Sequence, residues 1–344
     1  MLFNYTYSKH KADLLHYYVS KFIRNIYFKS PNRFSYSLFE PDFQKYLKRS
    51  NILKSLFQKF FGDFKKLSKG EKDLFYLAFV RTNDIKAQCN DHNKVYTIDD
   101  LPKQIQKATD DLFRYMYENT LNSVGEIKDH YEKFYLNLKI KVCPFCGIET
   151  LHYYAFYKQD YDHSLYKDKY PIASINMKNL VPMGRDCNTI FKKTKDVLHD
   201  GTGTRRYYIY PFINSIKIKI CLTGSVYTFS NLDTADWRVS YLPVIEKTET
   251  WNDVFNICYR YKYEVFQLDA ASWLNSFLSY LKSNPYIIKI QNKSDVEQFL
   301  KSEVNKYDPY DYQDRNFLRH AFFEEIFNSA DDSFYNGLLN YLKT

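Results

Sequence analysis

Long apolar runs are missing from this chain: nothing in its 344 residues approaches the 18 or so that a membrane span needs. The first residues, MLFNYTYSKHKADLLHYYVSK, lack a charged segment followed by an apolar run, so no secretory leader is expected. Cysteine is sparse. Six residues (Cys89, Cys143, Cys146, Cys187, Cys221, Cys258) without a leader argue against a disulfide framework, and the cytoplasm is the expected compartment. No internal repeat, low-complexity tract or proline-rich linker marks a clean domain border. Tandem zinc fingers and a clear helix-turn-helix are also missing, so no segment is marked out to read nucleic-acid bases.

What is present is an ordinary water-exposed composition, 45% hydrophobic and 26% charged, on a chain long enough for two or three substructures. Aromatics reach 19%, with 34 Tyr and 28 Phe, a bias that the codons of an AT-rich genome explain better than a stacking role. The net charge of +9 is uneven. Residues 1–70 hold 14 Lys/Arg against 4 Asp/Glu, whereas Asp308, Asp311, Asp314, Glu324, Glu325, Asp331 and Asp332 outnumber the nearby cations. A basic segment suits a phosphate backbone, because each bound cation releases condensed counterions. By itself such charge is more often a solvated helix face, and the acidic end is read as solvated helix before autoinhibitory cover.

Residues 1 to about 135 carry apolar residues at three- and four-residue intervals, as in DLLHYYVSKFIRNIYF, and are expected to be helical, with Ser68 capping the helix that follows it. Cys89, His92 and Asn93 fall together in loop 88–93, without the paired cysteines or frame of a metal site, and read as ordinary loop. LHYYAFYKQDYDH has the aromatic density of a strand, and YYIYPFINSIKIKICL, SVYTFSNL and WRVSYLPVIE alternate with a period of two, predicting a small sheet. From Thr250 onward the helical period returns.

The chemistry concentrates in residues 141–195. A Cys-x-x-Cys pair (Cys143, Cys146) opens the stretch, Asp162-His163 stands in its middle, and Asn179 leads Leu180-Val181-Pro182. Cys187-Asn188 closes it ahead of Lys192 and Lys193. In order, spacing and flanking residues this resembles the HNH endonucleases, which have a ββα-metal (His-Me finger) active site. The resemblance covers roughly one sixth of the chain. It implies an α+β fold: an HNH motif at 139–200, a small β-rich segment at 201–248 beside it, a basic helical lobe at 1–138 and a helical lobe at 249–344.

The resemblance gives His163 the role of general base, Asp162 and Asn188 the catalytic Mg²⁺ or Mn²⁺, and Asn179 the bracing of the loop that carries the histidine. Residue types agree: a neutral imidazole accepts a proton near physiological pH, and Mg²⁺ prefers carboxylate and amide oxygens. Arg185, Lys192 and Lys193 are expected at the phosphates flanking the cut. Many family members carry a second Cys-x-x-Cys, but position 184 here is Gly. Cys143, Cys146 and Cys187 are therefore read as a structural zinc site short of one ligand, with His152 or Cys221 as the candidate fourth, the alternative being a decayed site in which hydrophobic packing replaces the metal.

DNA is the expected substrate, with RNA such as tRNA as the alternative, since a backbone-directed site need not read the sugar. Long helical flanks make the chain similar to the nuclease subunits of Septu-type bacterial antiphage systems, which implies an ABC-type ATPase partner. The alternative from another class is a nucleic-acid-binding scaffold that keeps the fold without the activity.

Overall fold

The computed structural model describes residues 1–91, 94–213, 215–283 and 290–343; His92 and Asn93 of the loop noted above lie outside them. The fold is α+β, mostly helical, with two small antiparallel sheets. Among the described residues no helix is long and apolar enough to cross a membrane. The chain divides into two compact units. Unit 1 comprises Met1–Phe3, Ile140–Glu149 and Ser215–Thr344, and unit 2 comprises Asn4–Lys139 and Thr150–Asn214.

Unit 2 opens with helices α1 (Asp13–Lys29), α2 (Pro41–Arg49), α3 (Asn51–Lys66), α4 (Lys69–Thr82), α5 (Ile85–Asn90) and α6 (Lys103–Tyr115). Their apolar faces meet in an aromatic core. Phe22 stacks on Phe39 at 4.6 Å, and Phe57 meets both edge-on at 5.0 Å. The Phe-rich composition is thus spent on packing, where edge-to-face pairs add to the area they bury. Ser68 caps α4 as expected: its hydroxyl accepts from the Glu71 N–H (3.3 Å) and Glu71 returns a bond to the Ser68 N–H (2.8 Å), satisfying two otherwise orphaned donors. A π-helical turn (Met116–Thr120), α7 (Leu121–Gly125) and α8 (Ile127–Asn137) follow.

The sheet of unit 2 is one antiparallel pair, β1 (Tyr161–His163) against β2 (Leu180–Pro182), with Asp162 opposite Val181. Only the last three residues of LHYYAFYKQDYDH form this strand. The preceding Tyr153, Phe156 and Tyr157 are exposed. After β2 comes a wide helical turn, Cys187–Lys192.

In unit 1, β3 (Lys219–Cys221) pairs with β4 (Ser240–Leu242), and a lone bridge joins Val226 to Asp236. This is a smaller sheet than the alternating pattern over 207–245 predicts. Helices α9 (Glu246–Phe255), α10 (Ile257–Arg260), α11 (Gln267–Ser283), α12 (Lys293–Lys306), α13 (Asn316–Ser329) and α14 (Asp332–Lys343) complete the unit. Trp237, Phe266, Trp273 and Phe322 meet in its core at 5.8–6.2 Å.

Candidate active site

β1 ends in Asp162 and His163, both buried. The loop 164–179 must return the chain to β2, and Asn179 holds it shut. Its Nδ2 donates to the carbonyls of Leu165 (3.0 Å) and Ala173 (3.2 Å), and its Oδ1 accepts the Leu165 N–H at 2.8 Å. The Ser164 N–H donates to the Asn179 carbonyl at 2.8 Å. An amide offers two donor hydrogens beside an acceptor oxygen, and this closure uses all three.

The closed loop presents the Ser174 carbonyl to His163, 3.0 Å from Nε2. A carbonyl can only accept, so Nε2 carries the proton and Nδ1 keeps the lone pair. Burial pulls the His163 pKa down to about 3, so the imidazole is neutral at physiological pH. Tyr117 packs on the ring edge-to-face, with centroids 4.5 Å apart. Burial, then the charges of Asp162 and Asp160, push the Tyr117 phenol up to about 12, so it stays protonated.

Asp162 meets a residue that sequence placed elsewhere. Lys192, read as a cation for substrate phosphates, is fully buried, with Nζ 3.1 Å from Asp162 Oδ1 and 2.9 Å from Oδ2. It also donates to the His163 carbonyl at 2.7 Å. Burial pushes the Asp162 carboxyl up from its ordinary value and Lys192 opposes the shift. Nζ lies within ion-pair distance of both carboxylate oxygens, so the ammonium balances the whole carboxylate.

The helical turn that carries Lys192 is wide. The Lys193 N–H reaches back five residues to the Asn188 carbonyl (2.9 Å), and Lys193 closes it at φ +46°. Such π-turns often occur at functional sites. Asn188 lines a cavity of about 390 Å³ together with Tyr117, Lys158, Asp160 and Tyr161. Asp160 was not singled out from sequence. Its place just ahead of β1, two residues before Asp162, is the signal that could have found it, although Asp160 is exposed and Asp162 buried. Arg185 and Lys193 are exposed. Asp160 and Asn188 line this cavity with an exposed carboxylate and an amide oxygen, donors that a hard divalent cation takes, whereas the buried Asp162 is held by Lys192 and does not line it.

Cys143, Cys146 and Cys187 are buried, and their sulfurs lie within 4.8 Å of one another, a group that can hold a metal ion such as zinc. Zinc–thiolate bonds of about 2.3 Å set tetrahedral sulfurs roughly 3.8 Å apart, so the spacing is suitable. The turn of Cys143–Cys146 is closed by the Gly147 N–H on the Cys143 carbonyl (2.7 Å). Gly147 sits at φ +68°, and a Cβ there would come within 2.6 Å of Leu2, so glycine is required. Trp251 Nε1 donates to the Phe145 carbonyl (2.6 Å) and the Tyr261 hydroxyl to that of Cys146 (2.7 Å), fixing the turn in unit 1. Among the described residues neither His152, which is exposed, nor Cys221 joins the three thiols.

No protein-family model, curated protein or solved structure matches this chain significantly.

Proposed function

We propose that the protein is a metal-dependent endonuclease of the HNH type that hydrolyses phosphodiester bonds in DNA. The observation that carries the reading is the neutral His163, whose Nε2–H is tied to the Ser174 carbonyl, at the end of a strand whose preceding residue is a buried carboxylate. The tie fixes the tautomer, and Nδ1 is then the atom that takes a proton from the attacking water as the P–O3′ bond breaks. A base held near pKa 3 is weak. An approaching phosphodiester anion stabilises the imidazolium and raises that value toward the working range.

Asp162, Asn188 and Asp160 would hold the divalent cation, which supplies Lewis-acid stabilisation of the phosphate and the leaving oxygen. Arg185 and Lys193, both exposed, would meet the flanking phosphates, and the buried Lys192 would not. RNA is the alternative substrate. The buried Lys192–Asp162 pair favours a second reading, a nucleic-acid-binding scaffold in which the carboxylate is permanently neutralised. The Septu-like role with an ABC-type ATPase rests on the resemblance of the flanks; co-purification with such an ATPase supports it.

The test is supercoiled plasmid and total tRNA with Mg²⁺ or Mn²⁺, using wild type, His163→Ala and an EDTA control. Cleavage that requires both metal and His163 is expected. Equal cleavage by wild type and His163→Ala overturns the assignment of the base. Silence of wild type on both substrates, with the ATPase present, favours the scaffold.

A further inference from the structure

A cavity of about 750 Å³ in unit 2 has no part in the site above. It is lined from α1 by His16 and Arg24, from α4 by Tyr76 and Phe79, and further on by Lys86 and Lys178. The volume is in the range of small-molecule sites. Its charge is one-sided. Arg24, Lys86 and Lys178 are exposed, and among the described residues none makes an ion pair with a carboxylate. The one carboxylate on the wall, Asp84, has Oδ1 engaged by the Ala87 N–H at 3.2 Å. Three cations around one hollow repel each other unless an anion enters.

The floor is flat and aromatic. Tyr76 is fixed by a parallel stack on Tyr27, with centroids 4.2 Å apart and planes 2° from parallel. Phe79 lies near-parallel to His16 at 6.2 Å. Burial pulls the His16 pKa down to about 4, so at neutral pH this ring is a hydrogen-bonding partner and not a fourth charge. A planar ring carrying phosphate matches both halves of the wall: the ring packs on the aromatics and the phosphate meets the cations. We infer that this cavity binds a nucleoside phosphate, either free or as one residue of a nucleic-acid strand.

The wall is joined to the loop that orients His163. Asn83 Nδ2 donates to the Ile172 carbonyl (3.1 Å), and Asn176 Nδ2 donates to Asn83 Oδ1 (3.0 Å). The inference does not depend on the nuclease reading, because no residue of the His163 site takes part in it.

Titration calorimetry on the full chain with AMP, ATP, pyrophosphate and an octamer of thymidylate tests it. Wild type is expected to bind ATP or the octamer with a Kd of roughly 0.1 mM or tighter, and pyrophosphate more weakly because it has no ring. Arg24→Glu and Lys86→Glu, both at exposed positions, should each weaken binding by roughly tenfold, with circular dichroism checking the fold. ATP binding as tightly as the octamer identifies a free nucleotide; a clear advantage for the octamer identifies a strand. No heat from any probe up to about 5 mM, or affinities unchanged in both charge variants, overturns the inference.

Discussion

Replacing Lys192 by Met keeps the unbranched shape of a fully buried side chain, one atom shorter, and removes the cation from Asp162. Removing one partner of a buried ion pair strands the other, at a cost of about 3–5 kcal/mol. With the roughly 2–4 °C of melting temperature per kcal/mol found for domains of about 150–250 residues, the variant in EDTA should melt about 6–20 °C below wild type. The deficit should depend on pH. Burial already raises the folded-state carboxyl of Asp162 above its unfolded value, and losing Lys192 raises it further. Ionising Asp162 then costs stability as pH climbs from the unfolded value, near 3.8, through the raised one, so the deficit is small near pH 4 and grows as pH rises.

A divalent cation can take over the ammonium's position on the carboxylate. In wild type it must displace Lys192; in the variant it meets an open carboxylate. Excess Mn²⁺ should therefore stabilise Lys192→Met more than wild type, by about 2.7 kcal/mol at a hundredfold excess over Kd. The readout is differential scanning calorimetry with Mn²⁺ and with EDTA, alongside Lys192→Met/Asp162→Asn, in which the stranded charge is gone and much of the loss should return. A variant that melts within about 2 °C of wild type in EDTA refutes the stranded charge. An equal response to Mn²⁺ in both proteins refutes the competition.

Protein purified without chelator should contain about one zinc per chain, lost in Cys143→Ser and Cys187→Ser; elemental analysis finding none would remove the zinc assignment and leave His163 untouched. Asn179→Ala breaks three hydrogen bonds that close the loop 164–179, and urea unfolding should register a loss of about 3–5 kcal/mol; a loss below about 1 kcal/mol would show that the loop is held by its packing. Half-buried His16 and buried His130 have pKa values pulled down to about 4 by desolvation, below the unfolded value of 6.5, so their contribution to stability is present above pH 6.5 and lost as pH falls toward 4. Urea midpoints between pH 8 and 4 should show that loss, and His130→Gln should flatten it.

The helices were legible because their signals are local. The apolar period over 13–29, and the Ser68–Glu71 pair ahead of a helix, need no knowledge of the rest of the chain. The strands were overpredicted because aromatic density and alternation describe a half-buried surface, not a hydrogen-bonded partner. Between residues 207 and 213 the backbone finds its partners outside any ladder. The Tyr208 N–H donates to the Cys89 carbonyl, and the Pro211 carbonyl accepts from Tyr5. Pairing with such distant single residues leaves no period in the sequence.

The candidate site was legible in its residues but not in its charge balance. The brace at Asn179 came from the resemblance alone, and its side chain does bond both the N–H and the carbonyl of Leu165. Lys192 and Lys193 are indistinguishable in sequence: adjacent, both cationic, both following Asn188. The wide turn separates them, directing Lys192 inward to Asp162 and leaving Lys193 exposed beyond a left-handed closure. A five-residue hydrogen-bond reach in place of four rotates every later side chain around the axis, and a 3.6-residue periodicity cannot foresee it. The consequence is chemical. A fixed ammonium already balances the Asp162 carboxylate, so under the proposed function cleavage would depend on the free-energy difference between Lys192 and a divalent cation at Asp162. That difference is open to selection at position 192 without any change in Asp162, His163 or Asn188.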